Sequence, residues 1–335
     1  MGGAVERLSN IGERGFITRS LEILSSLWIS SPLPPFDDAS AYYLGGSWMI
    51  LKIDGFSAHS SRYPWNSWGD LGWKAATSCA SDVIAKGGYP YFYMLSIGAP
   101  GGFSAGDALD IIRGFREAVE EYGGLFAGGD TNSSKEDIWV DVSCIGFSGT
   151  DPIPRGAYPG DLVIITGLFG LSGLARIYYE GILRGSIGIG EIPESVVRAT
   201  SRPRARIEAV EVMRRYRKCI RGSTDVSDSL AESLYLISEA SGYEIVLEKT
   251  PLDPEAVGIM ERIKADPIDI VFNGGEEYEL VIVASRECSE EIVREMTRRG
   301  VKAEIYGEVK DRKGVGVIYN GKRIPRAGYQ HFISV

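Results

Sequence analysis

Gly123-Gly124-Leu125-Phe126-Ala127-Gly128-Gly129-Asp130-Thr131-Asn132-Ser133-Ser134 is the stretch on which the reading of this chain turns. Before it, Ala105–Tyr122 carries Leu109, Ile112, Phe115 and Val119 at helical spacing. After it, Ile138–Phe147 has the alternation and β-branched content of a strand. Two glycine pairs leave backbone N–H groups uncovered, so a phosphate can approach closely. Asp130 adds a carboxylate suited to a magnesium ion riding on that phosphate. Taken alone, the stretch reads equally as a solvated turn between helix and strand.

Composition narrows the choice. A chain of 335 residues is long enough for two domains with real cores. Hydrophobic residues at 44% and charged residues at 24% are ordinary for a soluble globular protein. The net charge of −9 argues against a nucleic-acid partner held by broad electrostatics. No apolar run is long enough to span a bilayer, and the N-terminus lacks a signal-peptide core. Cys79, Cys144, Cys219 and Cys288 show no paired spacing, which argues against a zinc ribbon or a disulfide framework and for a reducing cytoplasm. His59 and His331 are the only histidines, so a histidine-rich metal site is excluded and any metal must sit on carboxylates, which favours magnesium. Gln330 is the only glutamine beside plentiful Glu and Arg, as adaptation to heat would produce.

Along the chain, helices are predicted at Gly15–Trp28, Trp68–Lys86, Leu171–Tyr179, Arg204–Tyr216, Ala231–Ala240 and Ser289–Arg299. Strands are predicted at Ala41–Leu44, Trp48–Ile53, Tyr91–Ile97, Asp161–Thr166, Glu244–Leu247, Leu280–Val283, Ala303–Val309 and Val315–Tyr319. Gly45-Gly46 marks a hairpin, and Gly87-Gly88 a helix stop. Three prolines and three glycines in Gly149–Gly160 mark a domain boundary, dividing residues 1–150 from 151–335. Both halves mix helices and strands, so the class is α/β in the mixed α+β sense.

Gly167-Leu168-Phe169-Gly170-Leu171-Ser172-Gly173 resembles a dinucleotide fingerprint but has the wrong first spacing and no acidic partner, so it reads as a packing turn. Walker-type and protein-kinase motifs are absent. The acidic turns say more: Asp37-Asp38, Asp54, Asp82, Asp130, Asp225 with Asp228, and Glu276-Glu277. Most stand at element ends beside small or apolar residues, where an unpaired carboxylate is costly. Asp225 and Asp228 flank a helix start, where Ser227 or Asp228 could cap and where phosphate and metal could bind.

In this order the turns resemble the thiamine-monophosphate kinase family of the aminoimidazole ribonucleotide synthetase-like group. The resemblance rests on Gly12-Glu13, Phe36-Asp37-Asp38-Ala39, Leu71–Gly87, Gly128-Gly129-Asp130-Thr131, Asp225-Val226-Ser227-Asp228, Gly274-Gly275-Glu276-Glu277-Tyr278-Glu279-Leu280 and Gly328-Tyr329-Gln330-His331-Phe332. It implies a two-domain fold: an N-terminal ATP- and metal-binding domain that pairs into a dimeric barrel, and a C-terminal domain completing the cleft. It implies direct transfer of the ATP γ-phosphoryl group to thiamine monophosphate in a homodimer, with several magnesium ions and ATP as co-substrate. By the same resemblance Asp38, Asp54, Asp82, Asp130, Asp225 and Asp228 hold metal; Gly129, Asp130, Arg155 and Ser227 contact ATP; His59, Glu276 and Tyr329 face the substrate; and Asp130, Asp225 and Asp228 are catalytic. The chain departs from the family pattern at Lys52-Ile53, where the family carries hydroxyls, and at Phe36, Ser229, Ser233 and Glu277. His59 comes two residues before the family's substrate histidine. Ser57–Trp68 reads as a lid or substrate loop. A divergent ATP-dependent enzyme with another phosphorylated or carbonyl substrate, and a non-catalytic nucleotide-binding relative, remain open.

Overall fold

The structure is a computed structural model that describes residues 6–329, 331 and 332. Gln330, within the C-terminal motif, lies outside them. The first helix, α1 (Leu8–Leu24), kinks where Gly12 takes φ 64°. A hairpin follows, β1 (Ser40–Leu44) and β2 (Ser47–Ser57). Its two-residue turn, Gly45-Gly46, needs left-handed backbone at both positions and has φ 61° and 94°. Next come α2 (Ala58–Ser61), α3 (Trp68–Ala85), β3 (Tyr89–Ala99), α4 (Ala105–Glu121), β4 (Leu125–Ser133) and β5 (Trp139–Ser148). The five strands form one sheet in the order β1-β2-β5-β3-β4, antiparallel except for the parallel pair β3 and β4.

The later residues supply β6 (Leu162–Thr166), α5 (Leu171–Leu183), α6 (Glu194–Ser201), α7 (Ala209–Arg215), β7 (Ile220–Asp225) and α8 (Leu230–Ser241). Then follow β8 (Tyr243–Leu247), α9 (Pro254–Ile263), α10 (Pro267–Phe272), β9 (Leu280–Ala284), α11 (Arg286–Arg298), β10 (Ala303–Lys313), β11 (Val317–Tyr319) and β12 (Lys322–Arg323). They form a seven-stranded sheet in the order β12-β11-β8-β10-β6-β9-β7.

Helix α3 joins the two halves. Every residue from Gly69 to Ala85 is buried. Its small side chains let α4 come close: a Cβ on Gly72 would lie 1.8 Å from the Ile111 carbonyl oxygen, and one on Gly114 1.8 Å from that of Gly69. On one side α3 packs on β2, β3 and β5; on the other it meets β7. One hydrophobic core therefore runs from Ile50, Val83 and Val142 to Ile220, Ile282 and Met213. No helix among the described residues is long and apolar enough to cross a membrane.

Several sequence expectations need correction. Leu125–Ser133 is an edge strand, not a turn, because pairing with β3 satisfies its backbone where side-chain pattern is lacking. The helix expected over Arg204–Tyr216 shrinks to Ala209–Arg215. Arg206 instead leaves regular structure to donate to buried Glu279 from Nε at 2.7 Å. Strand β7 and helices α6, α9 and α10 had no expected counterpart. The cysteines are not all apart: Cys219 and Cys288 form a disulfide across 69 residues, with Cα atoms 6.1 Å apart. The cause is sheet pairing. Cys219 precedes β7 and Cys288 follows β9, and Ile220 pairs with Ala284 across those strands. Cys79 and Cys144 remain free and buried. The glycines of Gly167–Gly173 are packing positions as expected; a Cβ on Gly173 would lie 2.2 Å from the Ile270 carbonyl oxygen.

Candidate functional site

Where α3, the β7 end and the Phe36–Ala39 turn converge, Asp38, Asp82 and Asp225 each offer an oxygen within 4.8 Å of the others, and all three are buried. Asp82 belongs to α3, Asp225 ends β7, and Asp38 precedes β1. Three cations are built into the same place. Lys86 is fully buried; its Nζ lies 2.6 Å from Asp37 Oδ1 and 2.7 Å from Asp38 Oδ2, and donates to the Ser223 carbonyl at 2.7 Å. Arg155 pairs with Asp38 through Nη2. Its backbone N–H donates to Asp37 Oδ2 at 3.0 Å. Lys52, from β2, places Nζ 2.8 Å from Asp82 Oδ2. Thr224 donates its hydroxyl to Asp38 Oδ1 at 2.8 Å.

These neighbours separate the carboxylates. Burial alone would raise Asp38, but Arg155 and Lys86 hold it well below the usual carboxylate range. Asp225 is pushed up to about 7 by burial and by facing Asp38. Burial works against the Lys52 charge, yet Asp82 and Asp54 keep it an ammonium. Asp225 Oδ2 is buried and receives no hydrogen bond. A buried carboxylate oxygen without a donor, in an all-oxygen cluster, fits a hard divalent cation such as magnesium.

The other expected residues stand around this centre. Asp54, on β2, is half-buried and accepts from the Gly55 N–H at 3.0 Å. Strand alternation puts Asp54 on the face of Lys52 and Ile50, toward α3. Asp130 and Gly129 are exposed on the edge strand β4, and Asp130 accepts from Asn132 at 2.8 Å. Pairing aligns Asp130, Ser96 and Asp141 in one row. That row shares the face of Asp141, against which a Cβ on Gly55 would collide, so Asp130 and Asp54 point to opposite faces. Asp130 does not join the buried cluster.

Ser227 and Asp228 are exposed in the turn between β7 and α8. Loss of solvent on its inner side, with Glu13 and Glu232 facing it, raises Asp228 above the ordinary range. Neither residue caps α8. Ser229 does, accepting from the Glu232 N–H at 3.0 Å while donating to the Ala327 carbonyl. The Ser227 carbonyl accepts from the Glu276 N–H at 2.6 Å. Glu276 takes φ 63° and Tyr278 φ 52°, left-handed backbone that side chains rarely adopt. Such positions concentrate at functional sites. Gly275 is required beside them: a Cβ there would lie 2.6 Å from the Asp228 carbonyl oxygen.

Glu276 pairs with buried Lys74, which also donates to the Ser61 carbonyl and stands over the Tyr63 ring. Lys74 thereby ties the Ser57–Trp68 segment to the Gly274–Leu280 turn, and Tyr63 stacks on Trp65 with centroids 4.7 Å apart. His59 is exposed in α2, two residues from Ser61. Tyr329 is 48% exposed and meets His331 edge-on at 4.8 Å. Its neighbour Gly328 lies over Asp228 and Ser229. Lys86, Thr224 and Lys74 escaped the sequence reading. Lys86 follows an ordinary helix end, and only its proximity to Asp37 and Asp38 distinguishes it.

The family model for the N-terminal domain of AIR synthase related protein matches residues 36–148, and that for its C-terminal domain matches 158–320. The thiamine-monophosphate kinase of Pyrobaculum calidifontis is 30% identical over 278 residues, covering 83% of this chain and 84% of that protein. That of Pyrococcus horikoshii is 30% identical over 300 residues, covering 88% and 90%. Among solved structures, tt0281 from Thermus thermophilus superposes with TM-score 0.83 at 31% identity, covering 96% of this chain and 100% of that one. AaThiL complexed with AMPPCP and TMP superposes with TM-score 0.82 at 25% identity, covering 98% and 100%. The two-domain AIR synthase-related fold, the order of the acidic turns and these matches agree: the chain belongs to the thiamine-monophosphate kinase family.

Proposed function

We propose that this protein transfers the γ-phosphoryl group of ATP to the phosphate of thiamine monophosphate, giving thiamine diphosphate and ADP. The observation that carries the reading is the buried cluster of Asp38, Asp82 and Asp225 with an undonated oxygen on Asp225. Two phosphates repel one another on approach, so in-line transfer needs fixed positive charge around them. Magnesium ions on Asp38, Asp54, Asp225 and Asp228 would supply that charge, with Asp82 held in the same cluster by Lys52. Arg155 and Lys86 hold Asp38 ionised and oriented. Ser227 and Asp228 are exposed between Asp225 and α8, and there ATP phosphates would meet the N-terminus of that helix. We assign Gly129, Asp130, Arg155 and Ser227 to ATP, and His59, Glu276 and Tyr329 to the acceptor. Asp130 stands on the exposed edge strand, on the face opposite Asp54, and would contact the nucleotide there and not through the buried cluster.

The test is direct. Purified protein with ATP and magnesium is offered thiamine monophosphate and a panel of other phosphorylated acceptors. Formation of thiamine diphosphate, lost on chelation of magnesium, supports the reading. Turnover of another acceptor alone, or ATP binding without turnover, overturns it.

A further inference from the structure

We propose that Lys52 is a resident cation of the carboxylate cluster: it holds the Asp82 position that a divalent ion would otherwise take. Lys52 Nζ lies 2.8 Å from Asp82 Oδ2, and Asp82 has an oxygen within 4.8 Å of ones on Asp38 and Asp225. The fold thus pairs Lys52 with Asp82, and Lys86 and Arg155 with Asp37 and Asp38. Asp225 forms none of these pairs, and its Oδ2 is buried and undonated.

The two sides of the cluster therefore differ. The Asp225 side offers an oxygen that a metal can take. The Asp82 side is closed by an ammonium group whose strand is held in register, Lys52 opposite Cys144 on β5. An ammonium offers one charge and hydrogen-bond donors but no coordination sites. A phosphate arriving there is held by N–H donors and not by metal coordination. The nucleotide-free protein consequently binds one divalent ion fewer than its carboxylates could hold. This rests on reading the cluster as a cation site; it does not depend on which acceptor is phosphorylated.

The experiment is a Mn2+ titration of the full-length, nucleotide-free protein, following free Mn2+ by electron paramagnetic resonance. Lys52→Ser and Lys52→Gln are each expected to bind one more Mn2+ per chain than the unaltered protein. Lys52→Ser combined with Asp82→Asn is expected to return to the original number. An unchanged number in the folded single variants, as judged by circular dichroism and melting, overturns the proposal. So does a gain that survives loss of the Asp82 carboxylate. Should Lys52→Ser fail to fold, Lys52→Gln decides, since it keeps part of the apolar stem and an amide N–H while removing the charge. A raised Mn2+ count in a protein that makes no thiamine diphosphate would overturn the acceptor assignment and leave the role of Lys52 standing.

Discussion

Glu277 shows how a single carboxyl can carry a pH dependence. It accepts from Ser172 through one oxygen, while its other oxygen is buried without a partner. Burial, with Glu279 and Glu276 nearby, pushes it up to about 7. A raised carboxyl favours the fold while protonated, below its unfolded value near ~4.3, and that contribution is lost as pH rises through the folded value. Glu277→Gln should therefore melt with the unaltered protein near pH 4 and above it past pH 7, by on the order of 1–3 kcal/mol. Melting curves across that range check the sign; no divergence would show that Glu277 stays solvated. Tyr329 makes a different prediction, because its ring is half exposed and free to cover a ligand. If it covers the cationic ring of thiamine monophosphate, loss of about 0.5–2 kcal/mol should raise KM for that substrate roughly two- to thirtyfold in Tyr329→Ala. KM for ATP and the melting temperature should hold, and Tyr329→Phe should be mild. Steady-state kinetics with each substrate varied separate this from a packing role, which would shift stability as well.

Helix α8 ties the cleft to the C-terminal segment, and its cap is the joint. The Ser229 hydroxyl accepts from the Glu232 N–H and donates to Ala327, while Arg326 pairs with Glu232 at 2.8 Å. Ser229→Ala should lower stability by about 1 kcal/mol in urea unfolding, as for other lost caps. The same change should raise KM for the acceptor, because Tyr329 follows Ala327 by two residues. A stability loss without a KM change would separate the cap from substrate binding. Helix α3 was legible from its long run of apolar and small residues and its Gly87-Gly88 stop; at its start Ser67 accepts from the Asp70 N–H at 3.1 Å. Strand β4 was not legible, since its ladder comes from β3 and not from its own glycine-rich pattern.

Among the described residues, the first sheet packs against α3 and α4 on one face. Its other face leaves Ile53 67%, Leu125 52% and Met94 38% exposed. An apolar sheet face of this kind calls for a partner surface. We expect a homodimer at micromolar concentration, with this face covered by a second copy. Met94→Asp should shift sedimentation toward monomer while leaving circular dichroism unchanged, because Met94 is exposed and supports no core. A monomer with full activity would remove the dimer from the mechanism.

The sequence by itself determined the class of the chain, the order of its acidic turns and the carboxylate nature of its site. These are local properties: periodicity, glycine punctuation and the choice of aspartate over histidine. Asp38, Asp82 and Asp225 were readable because each sits where an unpaired carboxylate is costly. Only the tertiary structure decided which of the aspartates meet, since they are brought together by α3, β7 and the turn before β1. It alone paired Lys52 with Asp82, buried Lys86 beneath Asp37 and Asp38, and joined Cys219 to Cys288. Each of those contacts spans distant segments, and the physical reason is the same throughout. Charge pairing and disulfide bonding depend on distance in space, which sheet order and helix packing determine and residue spacing along the chain does not.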